Sequence, residues 1–148
     1  MLTLEQALAR LLQAVQPLAE VEPLATFDAL GRVLAAEVVS LLDVPPADNT
    51  SMDGYALRAA DVAVAGTVLP LSQRIAAGVV GEPLRPGTAA RIFTGAQVPE
   101  GADAVVMQEQ CELVDAAVRV DVVPRAGQWI RRRGEDVRRG SVVLVGAG

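Results

Sequence analysis

Histidine and lysine are both missing from this chain of 148 residues. Without imidazole, the chain cannot build a histidine-based catalytic triad or the common zinc sites, and it lacks the side chain that most often carries protons near neutral pH. Its single cysteine, Cys111, has no partner for an internal disulfide and no metal-ligand spacing around it. We therefore expect Cys111 to be a buried or half-buried packing residue in a reduced, cytoplasmic protein.

Long apolar runs are missing as well. No stretch of about 18 apolar residues exists, and the N-terminus lacks a basic region followed by an apolar run, so the sequence predicts neither a membrane span nor a signal peptide. The formal net charge of −5 disfavours a general nucleic-acid binder, which would be basic. With 51% apolar residues, the chain can form the core of one compact domain or two small ones.

The first structural signal is an N-terminal helix. Thr3 is a good N-cap, and the apolar residues that follow recur on one helical face. These residues are Leu4, Leu8, Leu11, Leu12 and Val15. Pro17 is predicted to end the helix. Residues 23–40 give mixed signals: Gly31 closes a possible helical turn, and residues 33–39 suit either a strand or a helix.

From Pro45 onward the pattern changes to short apolar runs that alternate with glycine and proline, which is typical of a small β-sandwich or barrel. The runs are residues 67–71, 73–77, 89–93, 104–108, 118–123 and 141–145. We therefore predict an α+β fold that is mainly β. An N-terminal helix and mixed linker segment would span residues 1–44, and a small β-barrel-like domain residues 45–140. Residues 141–148 would begin a truncated segment that returns to the linker domain.

A loop after the proline pair carries four oxygen-rich side chains, which are Asp48, Asn49, Ser51 and Asp53. Asp53 stands beside Gly54 and ahead of a strand-like run, as expected for a group that a loop presents to a ligand. Two interpretations are open. The side chains could be solvated and cap turn amides, or they could bind a hard cation such as Mg²⁺, which is often held by one or two carboxylates with water and ligand oxygens.

A second loop places a hydroxyl next to a glycine. An apolar strand runs into Thr94 and Gly95, and glycine at that point would let a backbone or a ligand approach closely. Thr94 could bind an anion or a metal-bound water, or it could be an ordinary turn hydroxyl. Asp103, in the connector that follows, is predicted to cap a turn.

A third segment concentrates positive charge, because six of the thirteen arginines lie within residues 125–139. Strand alternation would send Arg131 and Arg133 to one side and Arg132 to the other. One side could face a cleft, where arginine forks bind oxyanions and Asp136, part of an acid pair, suits a divalent cation. A solvated strand face is the simpler interpretation, and genome composition equally explains the use of arginine alone.

Taken together, three segments resemble one protein family: residues 49–56 (NTSMDGYA), residues 92–109 (IFTGAQVPEGADAVVMQE) and residues 130–136 (IRRRGED). Their order and spacing are similar to the N-terminal part of the molybdopterin molybdenumtransferases, called MoeA in bacteria, which have a counterpart in the E domain of gephyrin. The resemblance covers essentially the whole chain, and three long motifs in register are far more specific than any one of them.

The resemblance implies an enzyme of molybdenum cofactor biosynthesis. Family members react molybdate with adenylylated molybdopterin, with Mg²⁺, to give molybdenum cofactor and AMP. They are elongated homodimers whose cleft lies between a β-rich domain of one subunit and a pterin-binding α/β domain of the other. The molybdopterin adenylyltransferase is a further candidate partner. Because family chains are much longer, we expect this chain to be inactive by itself.

Carried over position by position, the resemblance assigns Asp53 and Thr94 to the catalytic set, with Asp53 also as the metal ligand. It places Arg131, Asp136 and Ser51 at the substrate-binding or oxyanion-binding edge of the cleft. Two other functions stay open at this point. The chain could be a non-catalytic β-domain for dimerisation or scaffolding, or a generic small-anion-binding barrel outside the family.

Overall fold

The computed structural model describes residues 2–16 and 20–146. The chain packs as two compact units, one formed by the residues up to Glu37 together with those from Val145 onward, and the other by Val38–Leu144. The domain limits predicted from the sequence, at residues 44 and 140, stay a prediction. None of the described helices has the length and apolar content that crossing a bilayer requires.

The first unit contains the predicted N-terminal helix, α1, which spans Leu4–Ala14. Thr3 caps it: the Thr3 hydroxyl accepts from the Gln6 amide at 3.2 Å, and the Gln6 side chain accepts from the Thr3 amide at 3.1 Å. The apolar stripe of α1 is exposed, since the helix has no buried residue. Pro17, predicted to end the helix, lies outside the described residues.

Little regular structure follows in this unit. One turn of 3-10 helix spans Thr26–Asp28, and Gly31 has a φ of +80°, so the predicted glycine-closed turn is confirmed. Residues 33–37 form neither helix nor strand. The strand that the sequence allowed for residues 33–39 is limited to its last two residues, Val38–Val39.

The second unit is built from short strands. Within the described residues these are β1 Val38–Val39, β2 Asn49–Thr50, β3 Gly54–Leu57, β4 Thr67–Ile75, β5 Ala89–Ile92, β6 Ala104–Met107, β7 Cys111–Val114, β8 Ala117–Val120, β9 Ile130–Arg131 and β10 Val142–Leu144. Six of them form one sheet in the order β6-β3-β5-β4-β8-β7, while β1 pairs with β10 and β2 with β9. Two of the predicted strands, at residues 67–71 and 73–77, are one continuous strand, β4.

The long strand β4 makes the sheet curl. Its first part, from Thr67 to Pro70, pairs antiparallel with β8, whereas its second part, from Leu71 to Ile75, pairs parallel with β5. The register shifts between Leu71 and Gln73, as at a β-bulge, which bends a strand and increases its twist. The single strand β4 thus joins the β7–β8 pair to the β3–β5–β6 part of the half-barrel. The prediction of a mainly β, barrel-like fold with an N-terminal helix is confirmed.

Both faces of the curled sheet are buried, because side chains of β3, β5 and β6 alternate between two cores. One core contains Tyr55, Leu57, Val62, Leu69, Ala89, Ala104, Val106, Val118 and Val120. The other contains Ala56, Ile75, Leu84, Ala90, Ile92, Ala96, Val98 and Val105. The loops that carry Asp53 and Thr94 therefore adjoin strands that are packed on both sides.

A second set of antiparallel contacts joins residues 38–51 to residues 129–144. At its ends β1 pairs with β10 and β2 with β9, and between them Val44 forms a bridge with Val137. This ribbon sets the arginine-rich segment beside the loop that follows the proline pair.

Two glycines of the recognised motifs, Gly54 and Gly95, are needed for different reasons. Gly54, which as a loop glycine beside Asp53 would be explained by conformational freedom, lies where β6 approaches: a Cβ on it would be 1.9 Å from the Val106 carbonyl oxygen. Gly95 is expected from the sequence to allow a close approach, but a Cβ on it would meet no atom within 4 Å. Its backbone instead adopts a φ of +81°, a conformation that favours glycine. Close approach therefore selects glycine at the first position and backbone conformation selects it at the second.

We predict that Gly54→Ala lowers the free energy of unfolding by about 3 kcal/mol, because the atoms that the new methyl group meets belong to the backbone and cannot move alone. Gly78→Ala is the matched control: its Cβ would meet nothing within 4 Å, and its φ of +81° accounts for a loss of only about 1 kcal/mol. Urea unfolding measures both variants. Equal losses would contradict the close-approach explanation.

Candidate active site

The three recognised segments meet at β2. On one edge of this strand, the Gly95 amide donates to the Thr50 carbonyl at 2.8 Å, and the Thr50 amide donates to the Ala96 carbonyl at 3.0 Å. On the other edge β2 pairs with β9, and the Ser51 amide donates to the Trp129 carbonyl at 3.1 Å. Backbone hydrogen bonds therefore make the acid-bearing, hydroxyl-bearing and arginine-bearing segments neighbours.

Thr50, which sequence reasoning did not single out, shapes the turn that leads to Asp53. Its side chain is buried, and its Oγ1 accepts from the Met52 amide at 3.1 Å and donates to the Met52 carbonyl at 2.7 Å. A hydroxyl that bonds the backbone two residues further on closes a tight turn. The position of Asp53 is thus determined by a buried neighbour.

Ser51, predicted at the substrate-binding edge, ties two of the segments together. Its amide and its hydroxyl donate to the Trp129 carbonyl at 3.1 and 3.2 Å. Trp129 has a φ of +55°, a left-handed conformation that is unfavourable for a bulky residue. Ser51 therefore helps to hold a strained backbone in place, and a direct contact between Ser51 and substrate stays a prediction.

Asp53 and Thr94 are in direct contact. The Thr94 amide and Oγ1 donate to Asp53 Oδ1 at 2.8 and 2.7 Å. These two hydrogen bonds, together with the charge of Arg91, hold the pKa of Asp53 below its usual value, so the carboxylate is ionised at neutral pH. Its backbone is fixed too, since the Gln108 amide donates to the Asp53 carbonyl at 3.0 Å.

The surroundings of Asp53 fit a metal ion shared with a ligand better than a complete protein cage. Within the part of the chain that the structure describes, no three acidic or cysteine side chains are grouped to hold a metal ion. Thr94 occupies Oδ1 of Asp53, while no described residue donates to Oδ2. Since Mg²⁺ commonly uses one or two carboxylates and takes its other oxygens from water and phosphates, Oδ2 suits it as a single protein ligand.

Arg131 and Asp136 are also in direct contact, and they form an ion pair with each other. Nη2 of Arg131 lies 2.5 Å from both carboxylate oxygens of Asp136, and Nε lies 3.7 Å from Glu135. Both side chains of the pair are about half exposed, at 41% and 48%. An oxyanion at Arg131 would therefore have to share the guanidinium with Asp136 or displace that carboxylate.

The next two arginines are paired as well. Arg132 Nη1 donates to Asp48 Oδ2 at 2.6 Å, and the Arg133 amide donates to Asp48 Oδ1 at 2.8 Å. Arg133 Nε donates to Asp43 Oδ2 at 2.6 Å, and the Arg139 amide donates to Asp43 Oδ1 at 2.8 Å. These acids bind one side of the ribbon to the other, so this part of the charge run is structural. Asp43 was not identified from the sequence.

Two smaller predictions are confirmed. Asp103 caps a turn, although not in its own connector: its Oδ1 accepts at 2.7 Å from the Ala59 amide, which begins the 3-10 turn Ala59–Asp61. Cys111 is a half-buried free cysteine, and its burial, with the negative charge of Asp121, raises the pKa of the thiol to about 11. The thiol is therefore protonated at neutral pH, as a packing residue requires.

Sequence reasoning missed Arg91, whose charge acts on Asp53, Phe93, which directly precedes Thr94, and Arg74, which lies against the Phe93 ring. Arg91 and Phe93 lie two residues apart on β5 and its continuation, just before Thr94, so strand alternation places them on one face. That alternation was the available signal. The position of Arg74 depends on the pairing of β4 with β5, which the sequence does not show.

Asp43 links the pH dependence of stability to the ribbon. The hydrogen bond from the Arg139 amide, followed by that from the Arg133 side chain, lowers the pKa of Asp43. A carboxylate with a lowered folded-state pKa stabilises the fold above its unfolded pKa, and this contribution is lost as the pH falls through the folded value. We predict that Asp43→Asn lowers the free energy of unfolding at pH 7 and makes its decline below about pH 5 shallower.

Urea unfolding at a series of pH values measures this effect. Asp28→Asn, at an exposed position in the 3-10 turn, is the control and should leave the curve unchanged. An Asp43→Asn variant that keeps the acid decline of the parent chain would show that this carboxylate does not hold the ribbon.

Similar proteins connect these observations to a family. The chain matches the family described as the MoeA N-terminal region (domain I and II) over residues 2–146. It is 40% identical over 145 residues to the molybdopterin molybdenumtransferase of Haemophilus influenzae, covering 97% of this chain and 36% of the relative. It is also 40% identical over 147 residues to the molybdopterin molybdenumtransferase 2 of Mycobacterium tuberculosis, covering 95% of this chain and 35% of the relative.

A solved structure agrees in fold. The crystal structure of the molybdopterin biosynthesis moeA protein from Pyrococcus horikoshii OT3 matches with a TM-score of 0.88 and 36% identity, over 96% of this chain and 39% of that one. This chain thus spans about a third of the length of the H. influenzae and M. tuberculosis relatives. With the recognised segments inside a match that extends from residue 2 to residue 146, the chain belongs to the family of the MoeA N-terminal region.

Proposed function

We propose that this chain supplies one side of the active site of a molybdopterin molybdenumtransferase, in which molybdate and adenylylated molybdopterin react to give molybdenum cofactor and AMP. The observation that carries the proposal is the contact between Asp53 and Thr94 where the three recognised segments meet. The names of the H. influenzae and M. tuberculosis relatives support the transferase activity. Residues outside this chain would complete the site.

In this proposal, Asp53 is the metal ligand and Thr94 orients it. The Thr94 amide and hydroxyl both donate to Oδ1 of Asp53, which favours the ionised carboxylate. Because these two hydrogen bonds fix the orientation of the carboxylate, they also fix the position of its other oxygen, Oδ2. A bound Mg²⁺ would supply positive charge to the oxygens of molybdate and phosphate. Because the donors are in place beforehand, little rearrangement of this side of the site is needed when substrate binds.

Arg131 and Asp136 act as a pair. A guanidinium carries five N–H donors, so Arg131 can engage an oxyanion while part of it stays bound to Asp136. Asp136 then positions the arginine, and Ser51 keeps the adjoining backbone at Trp129 in place. Arg131 would bind substrate directly, whereas Asp136 and Ser51 would act through their neighbours.

Several further assignments that the sequence resemblance implies are part of this proposal. They are Mg²⁺ as the cofactor, a homodimer as the assembly and the molybdopterin adenylyltransferase as a partner. The cytoplasm, which is expected from the single free cysteine, is the proposed compartment. We also propose that the chain alone binds ligand without turnover, because it covers 36% of the H. influenzae relative.

The test is a chimera in which this chain replaces the corresponding part of the H. influenzae relative. We predict that the chimera forms molybdenum cofactor from molybdate and adenylylated molybdopterin, and that Asp53→Asn lowers the rate by about a hundredfold or more. Asparagine keeps the shape of the side chain but removes its charge and its capacity to bind the metal. Product formation in a purified system measures the rate.

Asp115→Asn is the matched control. Asp115 lies in the exposed hairpin between β7 and β8 with a φ of +52°, a conformation that asparagine adopts readily, so activity should not change. Turnover at the parent rate in a folded Asp53→Asn chimera would refute the role given to Asp53. That outcome would favour a dimerisation or scaffolding function for this part of the protein.

Thr94→Val tests the orienting role separately. Valine keeps the backbone amide that donates to Asp53 but removes the hydroxyl, which is one of the two hydrogen bonds that lower the pKa of Asp53. The pKa of Asp53 therefore rises, and we predict that the acid limb of the activity profile moves to higher pH. The pH dependence of turnover in the chimera measures the shift. An unmoved limb would mean that the Thr94 hydroxyl does not act through Asp53.

A further inference from the structure

Two arginines to which no binding role has been given lie against one aromatic ring. Arg74 on β4 and Arg91 on β5 are paired in register, so their side chains leave the same face of the sheet. Phe93, two residues after Arg91, belongs to that face as well. The guanidinium carbon of each arginine lies 4.5 Å from the centroid of the Phe93 ring, within the range of a cation–π interaction.

The two arginines differ in their other contacts. Arg91 donates to the Gly54 carbonyl at 2.9 Å and to the Gln108 side chain at 2.5 Å, and its guanidinium carbon is 5.1 Å from the Tyr55 ring centroid. Arg74 is exposed, and no acceptor among the described residues receives a hydrogen bond from its guanidinium. Arg91 is thus a fixed structural cation, whereas Arg74 is held by the ring with its donors unused.

The described acids near this pair form no ion pair with Arg74. Asp53 feels the charge of Arg91, but one of its oxygens is occupied by Thr94. Glu109 accepts from the Gln108 side chain at 3.2 Å. Two guanidinium groups on one ring repel each other, and a dianion beside them would relieve that repulsion. The local arrangement therefore provides positive charge and free N–H donors at an exposed position.

We propose that Arg74, held against Phe93 beside Arg91, is a binding site for a tetrahedral oxyanion that adjoins the Asp53–Thr94 pair. Phe93 directly precedes Thr94, so the ring connects the two. A planar guanidinium fork binds two oxygens of such an ion with charge-assisted hydrogen bonds. The site itself is independent of the proposed function, and it rests on that function only for the source of the oxyanion, which is molybdate or the phosphate of a nucleotide.

Isothermal titration calorimetry of this chain with tungstate, inorganic phosphate and AMP tests the site. We expect tungstate or AMP to bind, and Arg74→Gln to weaken that binding by about tenfold or more, because it removes the charge and the fork. Arg74→Lys should fall between the two, since lysine keeps the charge without the fork. Both substitutions are at an exposed position, which leaves the core untouched.

Arg85→Gln is the matched control, because it removes the same charge from an exposed loop position of the same unit and should leave the affinity unchanged. A preference for tungstate identifies the metal oxyanion as the ligand, and a preference for AMP identifies the phosphate ester. Parent-like affinity in Arg74→Gln, an equal loss in Arg85→Gln, or no binding of any of the three probes would overturn the inference.

The failure of this inference can be told apart from the failure of the proposed function. If Arg74→Gln keeps its oxyanion affinity while Asp53→Asn abolishes turnover of the chimera, the anion site is wrong and the function stands. If Arg74 binds the oxyanion but the Asp53→Asn chimera turns over normally, the anion site stands and the catalytic assignment is wrong.

Discussion

The hydrogen bonding of β2 on both of its edges is the constraint on which the candidate site depends. Two residues, Asn49 and Thr50, pair with residues 95–97 on one side and with residues 130–131 on the other. Thr50 is buried and also closes the turn toward Asp53 with its hydroxyl. Since three distant segments share this one strand, a shift of Thr50 would move the acid, the threonine loop and the arginine segment together.

Pairing of opposite charges determines which arginines are available to a ligand. Arg132 and Arg133 contact Asp48 and Asp43 across sequence separations of 84 and 90 residues, and these contacts brace the ribbon. Exposed ion pairs are individually weak, but here the carboxylates also accept backbone amides, which fixes their geometry. Arg132 and Arg133 are therefore structural, whereas Arg74, whose guanidinium donors are unused, lies on a different strand.

Local chemistry explains what could be predicted from the sequence. The capped helix, the strand runs and the three loops follow from residue periodicity and from turn residues that act over a few positions. The structure contains all of these elements. The strand β7 was missed because it is short and mostly exposed, with no alternation to reveal it. The importance of Asp43 and Arg74 depends on strand pairing across the fold, which periodicity does not specify.

The reasons given for the two motif glycines show the same limit. Both positions were recognised, yet only the paired backbone of β3 and β6 reveals that Gly54 is needed for close approach, and only the φ of Gly95 reveals that it is needed for conformation. A sequence motif indicates that a residue type is required at a position, whereas the physical reason for that requirement lies in the residues around it in the folded structure.

The contacts around Asp53 point to a site that is rigid on one side and open on the other. Its carbonyl is held by Gln108, its Oδ1 by Thr94, and the next residue, Gly54, by Arg91. These partners lie on or next to β3, β5 and β6, whose residues are almost all buried. Oδ2 of Asp53, which has no partner among the described residues, is therefore presented by strands that cannot move independently. The guanidinium of Arg74 belongs to β4, which pairs with β5. In the function proposed above, a half-site of this kind gives position and charge, and residues outside this chain would complete the pocket.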